Sequence, residues 1–111
     1  MSERPEWIQD IHAIAAGIDR GGRIPYRVVF KHGTLEAGVY TPGERDPQQP
    51  HTRDEAYIVV SGSGTFVNGE ERASFGPGDF IFVPAGRVHR FEEYTPDLVV
   101  WVVFYGPEGG E

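Results

Sequence analysis

The 111-residue chain contains no cysteine and only one methionine. Disulfides, thiolate nucleophiles, cysteine zinc sites and iron–sulfur clusters are therefore excluded by chemistry. Any metal has to be held by histidine, carboxylate or amide oxygen. Basic residues are scarce too: 10 Lys and Arg stand against 17 Asp and Glu, a net charge of -7. Such a charge repels a phosphate backbone and no Lys/Arg cluster offsets it, so nucleic acid is not an expected partner. Long apolar runs are also missing. The opening MSERPEWIQDIHAIAAGI is interrupted by Asp10, and LVVWVVF near the end is far shorter than a bilayer span. No leader or membrane contact is expected, and the chain reads as cytoplasmic.

What the chain has in quantity is turn chemistry: 15 glycines and 9 prolines separate short β-branched and aromatic runs. From Tyr26 onward the runs YRVVF, TLEAGVY, EAYIVVS, GTFV, RASF, DFIFV, HRFEEY and LVVWVVFY have strand length. An all-β sandwich or small barrel is expected. Asn68-Gly69 predicts a two-residue hairpin pairing TFV with ERASF, and Gly76-Pro77-Gly78-Asp79 a tight reversal. Before the strands, Ile8, Ile11, Ala15 and Ile18 recur at helical spacing until DRGGRIP breaks the pattern. We therefore expect a helical extension over residues 1–24 and a barrel domain over residues 25–107. The run Leu98 to Tyr105 is apolar on both faces, so the helix or a second subunit must cover its outside. Trp7 and Trp101 read as packing groups, His12 and His32 as surface residues.

Chemistry concentrates in QQPHTRDEAYIVVSGSG. Side chains of a strand alternate between faces, which puts Gln49, His51 and Glu55 on one parity together with Tyr57. Downstream, His89, Phe91 and Glu93 share a second face after the turn at Pro84 and Gly86. A buried imidazole and carboxylate need a cation, each other or water. Two histidines and one carboxylate on neighbouring strands form a set that leaves up to three positions open on an octahedral metal.

These residues resemble the two motifs of the cupin family. Gly43, Gln49, His51, Glu55 and Gly62 follow the spacing of the first motif; Gly78, Pro84, Gly86, His89 and Glu93 follow that of the second. Gln49 stands where the family has its first histidine and Glu93 where it has an asparagine. The resemblance implies a cupin jelly-roll β-barrel with a short N-terminal helix. It implies a divalent metal (Mn, Fe, Zn or Ni) held by His51, Glu55 and His89, with Gln49 as a weaker amide ligand or bonded to a metal-bound water. Glu93, if its parity with His89 holds to the end of the strand, and Tyr57 are the catalytic candidates, with Glu93 read first as a solvated rim carboxylate beside Glu92; Arg53 is a candidate anchor for an acidic substrate, read first as a solvated turn residue. Tyr40, Tyr57 and Phe91 read first as barrel packing. The expected partners are a small molecule and a second copy of the chain in a homodimer. The implied activity is that of a small-molecule enzyme, either a dioxygenase or a Lewis-acid isomerase or decarboxylase. The alternative is a non-catalytic binding or sensor barrel with a structural metal or none.

Overall fold

A computed structural model describes residues 4–111. A short helix, α1 (Ile11–Ala16), precedes eight strands: β1 (Tyr26–His32), β2 (Leu35–Tyr40), β3 (Asp54–Ser61), β4 (Gly64–Asn68), β5 (Glu71–Phe75), β6 (Phe80–Val83), β7 (His89–Glu92) and β8 (Val99–Tyr105). They form two antiparallel sheets, ordered β1-β2-β8-β3-β6 and β5-β4-β7. This is the all-β jelly roll with an N-terminal helix that the sequence led us to expect. No helix among the described residues is long and apolar enough to cross a membrane.

The local chemistry accounts for these elements. Asp10 caps α1, its Oδ1 accepting the N–H groups of His12 and Ala13 at 3.0 and 3.3 Å, and Gly17 ends the helix. A six-residue helix is too short to persist on propensity. It is held by burying Ile11 and Ala15 against Val39 and Val99, with Trp101 packed alongside. The helix is thus one cover for the two-sided apolar run. The cover is partial: Ile58, Phe80 and Phe82 on the outer face of β3 and β6 remain exposed. Trp7, read from sequence as a packing group, is 74% exposed.

The predicted β4–β5 hairpin forms, with Phe66 opposite Ala73 and Asn68 opposite Glu71. Its loop is Gly69-Glu70, one residue later than the Asn68-Gly69 pair. Gly69 takes φ 65° at the first loop position, which suits a II′ turn, while Asn68 stays in the ladder. In the reversal at Gly76, the Asp79 N–H bonds the Gly76 carbonyl and the Gly76 N–H bonds the Asp79 carboxylate.

Between the sheets, alternation sends Tyr57 and Val59 of β3, Val100 and Val102 of β8, Phe66 of β4 and Phe91 of β7 into one core. Residues 41–53 carry no ladder. They run past the open edge of β7, where the Phe91 N–H is taken by the Asp46 carboxylate at 2.7 Å and the Tyr94 hydroxyl donates to the Gly43 carbonyl. This irregular segment delivers half of the site.

Candidate metal centre

Glu55 lies on β3 opposite Val83 and Phe104, its side chain turned into the barrel. His89 opens β7 on the facing sheet and is equally buried. His51 sits three residues before β3 begins, so strand parity does not aim it. Its backbone is pinned instead by the Gly86 N–H, which bonds the His51 carbonyl at 2.7 Å. That bond ties the segment before β3 to the turn before His89. Asp54 reinforces the tie by accepting the Ala85 N–H at 2.9 Å, and the Glu111 N–H, at 3.1 Å, together with that of Ala85 holds its carboxyl below the usual value.

The three side chains meet. Glu55 Oε1 lies 2.5 Å from His51 Nε2 and 3.2 Å from His89 Nε2, and the ligand atoms of the trio all fall within 4.8 Å of one another. Ligands about 2.0–2.2 Å from a shared ion lie no more than about 4.4 Å apart, so the trio accepts a metal with only small side-chain adjustment.

The ring orientations decide what the cluster lacks. His51 Nδ1 is 2.9 Å from the Arg53 carbonyl and His89 Nδ1 is 2.8 Å from the Arg87 carbonyl. A carbonyl only accepts, so both Nδ1 atoms carry hydrogen and each neutral ring presents an Nε2 lone pair to Glu55. A further acceptor, Gln48 Oε1, lies 3.1 Å from His89 Nε2. Lone pairs and a carboxylate converge on one point, and the arrangement needs positive charge there, either a proton on Nε2 or a metal.

Both possibilities leave a signature. Burial opposes charging of His51, but the hydrogen bond and charge of Glu55 outweigh it and raise the His51 pKa. Burial likewise opposes ionisation of Glu55, but bonds from His51 and His89 prevail and lower its pKa. In metal-free protein, the raised His51 contributes stability below its unfolded value that is lost as pH rises through its folded value. The lowered Glu55 contributes stability above its unfolded value that is lost as pH falls through its folded one. Unfolding midpoints of metal-free protein should therefore fall on the alkaline side of the His51 titration. Mn²⁺ affinity should rise over the same range, because the metal must displace the His51 proton. Thermal unfolding with and without Mn²⁺ between about pH 5 and 9 checks the opposed trends; parallel trends would remove the metal assignment.

Several residues fall elsewhere than their spacing suggested. Gln49 is exposed on the rim of the cavity beside the cluster. The amide oxygen that reaches His89 belongs to its neighbour Gln48. Asp46 sets the orientation of that amide: its Oδ2 accepts Gln48 Nε2 at 2.7 Å and its Oδ1 accepts the Gln48 backbone N–H at 3.1 Å. Oε1 is thereby turned inward. Glu93 does not join the cluster. β7 ends at Glu92, and Glu93 turns out with φ 51°, 77% exposed and 3.6 Å from Arg72. Tyr57 is fully buried and donates its hydroxyl to Gln48 Oε1. Burial, then the charge of Glu55, pushes its phenol well above its usual value. Arg53 is taken up by the Thr34 carbonyl at 2.5 Å and by Glu36 at 3.7 Å. Asp46 and Gln48 escaped the sequence reading because parity was extended into a segment that is not a strand.

A cavity of about 230 Å³ borders the cluster, lined by His51, Glu55 and Gln48 together with Tyr26, Val102 and Phe104. Tyr26 packs against Gly38, where an added Cβ would come within 2.3 Å of its ring. The absence of a side chain there lets the ring act as a wall.

The model of the Cupin domain family matches residues 38–105, the stretch that contains β3, β7 and all three clustered side chains. The chain belongs to the cupin family. An uncharacterized protein of Streptomyces coelicolor is 38% identical over 85 residues, 75% of this cupin and 81% of that protein. The dimethylsulfoniopropionate lyase DddQ of Ruegeria pomeroyi is 29% identical over 73 residues, and the match spans 65% of this chain but 34% of the lyase. Among solved structures, a cupin-2 domain protein of Shewanella frigidimarina superposes with a TM-score of 0.68 at 13% identity, over 91% of this chain and 96% of that one. The likeness of that structure is one of fold.

Proposed function

We propose that this cupin binds a divalent metal through His51, Glu55 and His89 and acts there as an enzyme on a small organic molecule. The observation that carries the reading is the pair of Nδ1–carbonyl bonds, which commit both imidazoles to presenting Nε2 lone pairs to one buried carboxylate. A metal so held would keep open positions and would supply either Lewis acidity toward a carbonyl or a binding place for O2. The protein's own part is to hold the ligands from two facing sheets, to exclude water by burying His89, and to admit substrate along one cavity. Kinship with a lyase acting on dimethylsulfoniopropionate supports small-molecule chemistry.

Metal analysis of untagged protein, followed by calorimetric titration with Mn²⁺ and Fe²⁺, tests the proposal. Absence of both retained metal and titration heat would favour a second reading, a non-catalytic binding barrel. One observation supports that second reading: His51 Nε2 lies 2.5 Å from Glu55, where a proton on the ring would satisfy the carboxylate without any metal.

Two neighbouring amides compete for the fourth place. Motif spacing assigns Gln49, whereas the geometry favours Gln48. Gln48→Ala should weaken Mn²⁺ binding by about tenfold, in the range of changes at residues that support metal ligands, and Gln49→Ala by less than about twofold. Calorimetry of the two variants decides it, and the reverse ranking would restore Gln49.

The protein is further proposed to be a homodimer. β6 is one of the two edges of the larger sheet and carries exposed Phe80 and Phe82 beside Ile58. Such edges pair or aggregate unless covered. Light scattering should give the dimer mass at micromolar concentration, and Phe80→Lys the monomer. A monomeric wild type would refute it.

A further inference from the structure

The cavity carries one unused cation. Arg23 is the only Lys or Arg in its lining. The neighbouring arginines are committed: Arg20 donates to the Pro96 and Leu98 carbonyls, Arg27 to the Gly17 carbonyl, and Arg53 to the Thr34 carbonyl. Among the described residues the Arg23 guanidinium has no hydrogen-bond acceptor and no carboxylate within ion-pair distance. It is exposed at the cavity mouth, next to Ile24, which is 76% exposed.

The walls between Arg23 and the cluster offer a ligand little hydrogen bonding. The Tyr26 hydroxyl donates to Glu36 at 3.1 Å and the Tyr40 hydroxyl donates to Asp46. Ile24, Pro25, Pro47, Val102 and Phe104 supply apolar surface, and the only amide side chains in the lining are those of Gln48 and Gln49. A sugar or polyol, with a hydroxyl on nearly every carbon, would find partners at the two amides and leave its other hydroxyls unpaired, at a cost for each buried group. An apolar body with one anionic end fits both features. The overall charge of -7 makes an anion an unfavoured visitor unless a local cation receives it, and the Glu55 carboxylate in the same lining adds to that repulsion until a proton or a metal meets its charge. The volume, about 230 Å³, lies below the ~300–1,000 Å³ of drug-sized sites and limits the ligand to a small molecule.

We infer that the ligand is a small apolar carboxylate whose anionic end pairs with Arg23 at the mouth while its body lies between Ile24, Val102 and Phe104. A guanidinium fork and a carboxylate can join through two parallel bonds. The inference deepens the proposed function and rests on its assignment of the His51–Glu55–His89 end as the inner, reacting end.

The probes are hexanoate and its uncharged counterpart hexanamide, titrated calorimetrically into metal-free and Mn²⁺-loaded protein. Wild type should prefer the acid by about tenfold or more in both forms. Arg23→Gln, a change at an exposed loop position, should abolish the preference and leave Mn²⁺ affinity unchanged. Equal binding of acid and amide overturns the inference, as does binding of neither at millimolar concentration. So does a preference that survives Arg23→Gln, which would place the carboxylate on the metal or the histidines. An acid preference that depends on Arg23 in a protein that binds no Mn²⁺ supports the inference while the metal reading fails. Mn²⁺ binding without any acid preference has the opposite consequence.

Discussion

Replacing His89 by alanine should abolish divalent-metal binding, lowering Mn²⁺ affinity by more than about a hundredfold, beyond the 10–100-fold typical of residues that only support ligands. Only two imidazoles face Glu55, so the variant loses half of the nitrogen donors of the trio. The His89 side chain is fully buried, and its removal leaves Glu55 and the Arg87 carbonyl short of a partner. Some loss of stability will accompany the loss of metal. His51→Ala separates the two effects, because His51 lies outside the ladders and is partly exposed. It should stay folded by circular dichroism and lose metal to a similar extent. If calorimetry shows both variants binding Mn²⁺ as wild type does, the cluster is not a metal site.

The largest effect on stability is expected at Phe91. Its ring lies at the centre of the aromatic core, with centroids 5.0 Å from Tyr57, 4.9 Å from Phe66, 5.3 Å from Phe75 and 6.4 Å from Tyr40. Alanine there leaves a cavity that four aromatic rings cannot readily close, at a cost of about 3–5 kcal/mol. A domain of this size has about 5–15 kcal/mol in total. The melting temperature should fall by on the order of 15 °C. Phe91→Leu keeps most of the volume and should cost less than about 2 kcal/mol. Urea unfolding of the three proteins gives the values. A loss below about 1 kcal/mol for Phe91→Ala would show that the core closes around the gap.

The site was readable from sequence to different depths at its different residues. Glu55 and His89 lie on ladders, where a period of two is enforced by hydrogen bonds to neighbouring strands. Counting residues therefore gave their direction correctly. The count does not extend to Glu93, because β7 ends one residue earlier and the backbone turns to φ 51°, which leaves Glu93 as the exposed rim carboxylate that its place beside Glu92 suggested. It failed at the glutamines. Residues 41–53 have no ladder to keep the alternation, and a carboxylate two residues before Gln48 decides which amide faces inward.

By itself the sequence determined the eight strands, the hairpin between β4 and β5, the short helix and the identity of the two histidines and the carboxylate. These depend on local periodicity, turn residues and spacing, all of which are properties of contiguous chain. Only the tertiary structure decided that Gln48 rather than Gln49 meets His89, that Arg53 is occupied, and that Arg23 comes to the mouth of the cavity. The physical reason is that outside a ladder a side chain's direction is set by partners distant in sequence. The Gly86 N–H holds His51 and the Phe91 N–H holds Asp46, contacts that exist only once the two sheets have closed on each other.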